Sequence, residues 1–292
     1  MIDEHTKLVG LIGWPVAHSL SPAMHNAAFG ALGLNWRYVP LPTLPGQVEA
    51  AVRGLAALGF RGANVTAPHK QAVMPALDDI APDAGKFSAV NTIVVERRED
   101  GATVLSGYNT DVPGFIGDLH QSGFEPEGKS AVVVGAGGAA RAVVFGLLGA
   151  GIGKITVLNR TFERAQALVS GMGSEEVLHA LSLTQETLIE SARAADLLVN
   201  TTTVGMWPHV DGSVWPDGLP IPPRLTVYDL VYNPLETRLL RQARESGARA
   251  IGGLGMLVRQ GALAFDMWTN QGFAIEEIIG PMRTACERAM QR

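Results

Sequence analysis

The sequence predicts an α/β fold of two units, each built on a mostly parallel sheet. Three observations predict it. Apolar strand-like runs alternate with amphipathic helix-like stretches, the rhythm restarts near residue 129 after a hairpin, and one run ends in a glycine loop that opens a helix. The 292 residues suffice for two domains of ordinary size, and 47% hydrophobic against 17% charged residues is a globular balance.

The elements follow in order. "KLVGLIG" (7–13) reads as a strand, "SPAMHNAAFGALG" (21–33) as a helix, "WRYVPLP" (36–42) as a strand and "PGQVEAAVRGLAALG" (45–59) as a helix. "GANVTAPHK" (62–70) is the end of a third strand, stopped by Pro68, with Lys70 opening the helix-like pattern "QAVMPALDDI" (71–80). "AVNTIVVERREDGATVLSGYNTD" (89–111) is a hairpin turning at Asp100-Gly101, and Asp111 stands where it could cap the helix beginning "VPGFIGDLH". The second unit runs through "SAVVVGAGGAARAVVFGLLGAG", "KITVLNRT", "ERAQALVSG", "AADLLVNTTTVGM" and "LTVYDLVY". From "GLGMLVRQGALAFDMWTN" onward only helices are predicted, and having no sheet of their own they are expected on the first unit. The domains are therefore 1–111, completed by 254–292, and 112–253.

Composition excludes several function classes. Net charge is −5 and no block of five basic residues occurs, so no nucleic-acid footprint is present. The longest apolar stretch, 131–151, carries Arg141 and six glycines and is not a membrane helix. Cys286 is alone, which removes internal disulfides and metal-spaced thiols and fits a reducing cytosol, while the acidic, polar "MIDEHTK" is no signal peptide. No metal site is expected, the location is expected to be cytoplasmic, and a homodimer is left open as the assembly.

The candidate sites start from the glycine loop. Gly135-Ala136-Gly137-Gly138-Ala139-Ala140 fits G-x-G-x-x-A between a strand and a helix, where glycines admit a pyrophosphate to backbone N–H groups at a helix N-terminus. An NAD site places Asp or Glu about twenty residues further on; here Asn159 is followed by Arg160, Thr161 and Arg164. Guanidiniums suit the 2′-phosphate of NADP, the predicted cofactor. In the first unit, Ser19 and Ser21 would face one side of an extended segment, with Ser21 an N-cap before Pro22 and the helix N-terminus able to hold a small carboxylate. Asn64, Thr66 and Lys70 form a second polar group, and Asn91 with Asp111 a third. Taken singly, each also reads as a cap, a turn or a solvated side chain.

Together these stretches resemble the shikimate dehydrogenase family. The resemblance covers nearly the whole chain as an ordered series: "GWPVAHSLSPAMHN", "GANVTAPHK", "AVNT", "YNTD", "GAGGAARA", "NRTFERA", "NTTTVGM", "YDLVYNPLET" and "GGLGMLVRQGALAFDMWT". It implies NADP-dependent reduction of 3-dehydroshikimate to shikimate in aromatic amino-acid biosynthesis, a small-molecule substrate as the partner, and a substrate domain and a Rossmann-like NADP-binding domain with the active site in a cleft. It implies a catalytic pair, Lys70 and Asp111. Ser19 and Ser21 would hold the substrate carboxylate, and Asn64, Thr66, Asn91, Asp111, Tyr232 and Gln260 its hydroxyls. Residues 135–139 and 159–164, with Thr201, Leu230 and Gly253, would line the cofactor. His69 stands where the family pattern suggests an apolar or aromatic residue, and "WTN" replaces "WTG"; neither removes a functional residue. His18, His25 and His69 are expected to be structural, and Trp14 and Met256 to pack. The rivals are a quinate/shikimate dehydrogenase of broader substrate or cofactor use, an aminoshikimate dehydrogenase, and a cofactor-binding protein without catalysis.

Overall fold

The computed structural model describes residues 2–86, 88–174 and 176–291. Its contacts divide the chain into two compact units, Met1–Asp111 with Val258–Arg292, and Val112–Leu257. The first unit contains β1 (Lys7–Gly13), α1 (Ser21–Ala31), β2 (Trp36–Pro42), α2 (Val48–Ala57), β3 (Gly62–Val65), β4 (Asp79–Ile80), α3 (Pro82–Lys86), β5 (Thr92–Arg97) and β6 (Thr103–Tyr108). Its sheet runs β2-β1-β3-β5-β6-β4. β1 is parallel to both β2 and β3, and β4 to β6, while β5 is antiparallel to β3 and β6. The β5–β6 hairpin closes where expected, with Gly101 at φ 85° and Arg98 N–H donating to Ala102 O at 2.8 Å.

Burial explains the pattern. Val48, Val52 and Leu55 recur at i, i+4 and i+7 on α2 and pack in one cluster with Ile12, Val65 and Ile93 of the sheet. Each such side chain contributes about 2 kcal/mol relative to exposure. α9 (Leu254–Thr269) and α10 (Ile275–Met290) end the chain, and the division between units falls inside α9. From Val258 onward these helices belong to the first unit: α10 packs on α1, Phe265 stacks on Phe29 at 4.7 Å, and Trp268 Nε1–H donates to Ile93 O at 2.9 Å. Gly62 is required beneath that indole, because a Cβ there would overlap Trp268 and Ile93 O.

One expected helix is absent. Residues 71–80 form turns, a 3₁₀ turn at Met74–Ala76 and then β4. Pro75 disfavours the helical region for the residue before it and lacks a donor, and Asp79 and Ile80 pair with Ser106 and Gly107 instead.

The second unit carries α4 (Asp111–Gln121, from Val112), β7 (Ser130–Val134), α5 (Gly138–Gly149), β8 (Lys154–Asn159), α6 (Phe162–Met172) and β9 (Leu178–Ser182). Then come α7 (Gln185–Arg193), β10 (Leu197–Asn200), β11 (Thr226–Asp229), α8 (Arg238–Glu245), β12 (Arg249–Gly252) and the first turn of α9. Its sheet is parallel throughout, in the order β12-β11-β10-β7-β8-β9. Both faces are covered, as a parallel sheet requires: Val133, Ile155 and Val157 pack with Phe115 and Leu147, and Val132, Val134 and Leu158 with Leu188 and Leu239. The order reverses between β10 and β7, the switch point at which doubly wound sheets bind ligands. Among the described residues no helix is long and apolar enough to cross a membrane, and no group of His, Cys, Asp or Glu could hold a metal ion.

Candidate active site

In the first unit the polar side chains converge at the C-terminal ends of β1 and β3, which are paired neighbours. Lys70 lies in the turn after β3, tied down by Val90 N–H donating to its carbonyl at 2.9 Å. Lys70 Nζ donates to Asp111 Oδ2 at 2.5 Å, with the two side chains 30% and 15% exposed. This partial burial screens the pair less than a solvated ion pair. The other carboxylate oxygen, Asp111 Oδ1, accepts from Asn91 Nδ2 at 2.9 Å. Asp111 opens α4, and its carboxylate serves Lys70 and Asn91 as well as any capping.

The amides around this pair are fixed from behind. Asn91 Oδ1 accepts from Thr92 Oγ1 at 3.0 Å and from Thr110 N–H at 2.8 Å, leaving its amide nitrogen toward Asp111, Thr110 Oγ1 and, at 3.4 Å, Gln260 Oε1. Asn64 Nδ2 donates to Asn91 O and Thr92 Oγ1, both at 3.2 Å, while its Oδ1 accepts from Tyr38 O–H at 2.9 Å. Both amide hydrogens of Asn64 are thereby committed, which fixes its orientation in the network. Thr66 N–H donates to Ile12 O at 2.9 Å and the side chain stays half-buried. Lys70, Asp111, Asn64, Asn91 and Gln260 thus form one connected network.

The serines differ from expectation in detail. α1 begins at Ser21 itself, with Leu20 as its cap residue in the right-handed helical region, so Ser21 is not the N-cap and the segment is not extended. Ser19 Oγ instead accepts from Ser21 N–H at 3.2 Å. The reason is local: Pro22 fixes the first turn, and Ser19 satisfies one of its otherwise orphan donors. His69 is buried, with Nε2–H donating to Thr43 O at 2.7 Å. His25 is fully buried, stacked on Tyr38 at 4.4 Å, and its two ring nitrogens have no hydrogen-bond partner. Burial pushes its pKa down to about 3, opposed only in small part by the Asn64 side chain nearby.

In the second unit the cofactor candidates line the C-terminal edge of the parallel sheet. Gly135 follows β7 at φ 114°, and a Cβ there would overlap the Thr201 hydroxyl. Thr201 Oγ1 donates to Val134 O at 2.7 Å, one strand away after β10. Gly137 and Gly138 are exposed, with open space to 4 Å on the side where a side chain would stand, and the N-cap of α5 has no side-chain hydrogen bond. An open backbone over free helix N–H groups fits a dinucleotide pyrophosphate. Asn159 ends β8 and donates from Nδ2 to Thr161 O at 2.8 Å. Arg160 and Arg164 are exposed and, among the described residues, neither is in an ion pair, although Glu163 lies between them. Leu230 N–H donates to Asn200 O at 3.0 Å, and Gly253 packs so closely on Leu230 O that a side chain would overlap it. Tyr232 follows β11, half-buried.

Tyr38, Thr92 and Thr110 are members of the first network that motif reasoning misses. A signal existed for Tyr38: alternation in "WRYVPLP" puts Trp36 and Tyr38 on one buried side, and a buried phenol needs a hydrogen-bond partner. Thr92 and Thr110 sit inside the quoted "AVNT" and "YNTD", but only the fold reveals which amide they orient.

Comparison with known proteins agrees along the chain. Residues 11–93 match the shikimate dehydrogenase substrate binding domain, 118–206 the shikimate / quinate 5-dehydrogenase family and 253–277 the shikimate 5′-dehydrogenase C-terminal domain. The chain is 50% identical over 274 residues to the NADP(+) shikimate dehydrogenase of Moorella thermoacetica, covering 92% of this chain and 90% of that one. A crystal structure of a shikimate dehydrogenase in complex with NADP+ superposes with a TM-score of 0.85 at 39% identity, covering 100% of this chain and 98% of the other. That from Thermus thermophilus in complex with NADP(H) and shikimate gives 0.82 at 40% identity, with 96% and 99% covered. With the parallel dinucleotide-type sheet and the lysine–aspartate network in place, these matches show that the chain belongs to the shikimate dehydrogenase family.

Proposed function

We propose that this chain catalyses the reversible, NADP-dependent reduction of 3-dehydroshikimate to shikimate, a step of aromatic amino-acid biosynthesis. The observation that carries the reading is the Lys70–Asp111 pair, braced by Asn91 and set beside Asn64 and Gln260. NADPH, when bound, supplies the hydride for the ring ketone. The ketone oxygen then gains negative charge, and Lys70 Nζ gives it a proton; in the oxidative direction Lys70 takes that proton back. One ammonium hydrogen is engaged by Asp111 Oδ2, which orients the group and leaves the others to face the substrate. Asn64 accepts from a substrate hydroxyl, with Thr66, Asn91, Asp111, Tyr232 and Gln260 completing the hydroxyl contacts. Ser19 and Ser21, at the start of α1, hold the carboxylate with help from the helix N-terminus.

The first unit, 1–111 completed by the C-terminal helices, acts as the substrate domain and 112–253 as the cofactor domain. Residues 135–139 would hold the pyrophosphate, and Arg160 and Arg164 the 2′-phosphate, with Asn159, Thr161, Thr201, Leu230 and Gly253 around the rest. A cytoplasmic location suits a chain with one buried cysteine. A homodimer is the assembly we put forward, to be read by light scattering.

The test is steady-state turnover of shikimate and quinate, each with NADP+ and NAD+, for the parent and Lys70→Ala. We expect shikimate with NADP+ to dominate and Lys70→Ala to lose roughly 10²–10⁴-fold in kcat while still binding NADP+. A variant kcat within about threefold of the parent removes the general acid from Lys70.

A further inference from the structure

Asp229 is the most deeply buried carboxylate of the second unit, and the chemistry above does not use it. It ends β11 at 0% exposure, opposite Asn200 in the β10–β11 register. Its Oδ1 accepts from Asn200 Nδ2 at 2.8 Å and from Val231 N–H at 3.1 Å, and its Oδ2 accepts from Thr237 Oγ1 at 2.6 Å. All three donors are neutral, and no cation pairs with it among the described residues. Burial raises its pKa, opposed by the bonds from Thr237, Val231 and Asn200. A buried carboxylate without a cation is costly, and packing alone does not account for it.

The partners supply one. Asn200 Oδ1 accepts from Thr202 N–H at 3.0 Å and from Thr202 Oγ1 at 2.7 Å, which folds the loop carrying Thr201. Val231 lies between Leu230 and Tyr232. Thr237 caps α8, its Oγ1 accepting from Leu240 N–H at 3.3 Å, and so closes the segment that follows Tyr232. One acceptor therefore ties the ends of three segments, two of which carry proposed ligand contacts. We propose that Asp229 is a positioning residue that sets the loops bearing Thr201, Leu230 and Tyr232 in one arrangement competent for cofactor and substrate together. This rests on the dehydrogenase reading for the roles of those three residues.

The chemistry demands a carboxylate. An asparagine at 229 must aim its amide nitrogen either at Asn200 Nδ2 and Val231 N–H, which are donors, or at Thr237 Oγ1, which must then surrender its own donation. Asp229→Asn keeps the volume and breaks the pattern. Thr237→Val removes one donor while keeping the branched shape, and Thr237→Ser restores it.

The experiment measures KM for shikimate, kcat, calorimetric Kd for NADP+ without substrate, and amide exchange of peptides 200–204 and 230–236. Asp229→Asn should raise KM and Kd each by roughly tenfold, leave kcat within about threefold, and speed exchange in both peptides. Thr237→Val should move the same quantities in the same direction, with Thr237→Ser at the parent values. A lowered melting temperature with KM, Kd and exchange of both loops unchanged overturns the proposal. So does a collapse of kcat at constant KM and Kd. Should Asp229→Asn fail to fold, the two Thr237 variants decide by the same criteria. If the parent itself does not oxidise shikimate, the functional reading fails, and the NADP+ and exchange measurements still judge Asp229.

Discussion

Replacing His25 with phenylalanine tests whether its ring is held neutral at any pH the fold survives. The ring is buried, stacked face to face on Tyr38 with an interplanar angle of 3°, tilted against Trp268, and neither nitrogen has a partner. Burial lowers its pKa from 6.5 to about 3. Between those values the unfolded ring takes up a proton that the folded ring refuses. The stability tied to the neutral ring is thus fully present above about pH 6.5 and lost as the pH falls toward 3. The slope is about 1.4 kcal/mol per pH unit, so at pH 4.5, two units below the unfolded value, about 2.7 kcal/mol is gone. Phenylalanine keeps the stacking and cannot protonate. Its extra bulk adds an offset that does not depend on pH, and the other titrating groups are shared by both proteins. Urea unfolding of parent and His25→Phe at pH 7.5, 5.5 and 4.5, followed by tryptophan fluorescence, should show a variant-minus-parent difference that grows by that slope. A difference flat to within about 0.5 kcal/mol across the range would refute the argument. A ¹³C-histidine spectrum in which His25 titrates near pH 6 would do the same.

Three further outcomes are expected. Asp111→Asn should lower kcat, and combined with Lys70→Ala it should lose less than the product of the single losses, as groups acting as a unit do; multiplicative losses would separate them. Arg160→Asp should cut kcat/KM with NADP+ by at least about tenfold and improve NAD+, since one charge-assisted contact is worth about 1.5–3 kcal/mol; an unchanged cofactor ratio would remove Arg160 from the 2′-phosphate site. Gly62→Ala drives a methyl into Ile93 O and the Trp268 indole, so it should cost about 3 kcal/mol in thermal denaturation; a melting temperature within a degree or two of the parent would show that the indole moves freely.

Short-range chemistry was the legible part. The strand–glycine–helix run at 130–149 could be read directly because the turn, the close approach and the helix start are all encoded within ten residues. The hairpin was legible for the same reason, through Asp100-Gly101. β9 and β12 went unread because "LHALS" and "RAIG" are short and lack clean alternation. The helix expected at 71–80 had the right apolar spacing, but the pairing of Asp79 and Ile80 with β6 overrides it, and that strand lies some 25 residues on. Ser21 shows the same limit on a smaller scale, since one residue of helix start depends on where Ser19 finds its donor. In the candidate site, Lys70, Asp111 and Asn91 could be picked out as residue types at strand ends, while Tyr38's hold on Asn64 exists only across the sheet. Asp229 stood in plain view in "YDLVYNP", yet its partners are 29 residues before it and 8 after.

The indole of Trp268 also governs when this protein can finish folding. A ribosome delivers β1 well before the helices that cover that sheet, with the contiguous second unit emerging in between. Trp268 follows Asp111 by 157 residues, roughly 8–30 s of synthesis at ordinary elongation rates. For that interval Gly62 on β3 and Ile93 on β5 lack the Trp268 indole and Phe29 of α1 lacks Phe265, while residues 112–257 are already free to close on their own core. Vectorial synthesis therefore inverts the usual N-to-C order in this chain. The nascent first unit is the stretch on which a holding chaperone would act, and slowing translation between Val112 and Leu257 would lengthen its exposure rather than relieve it.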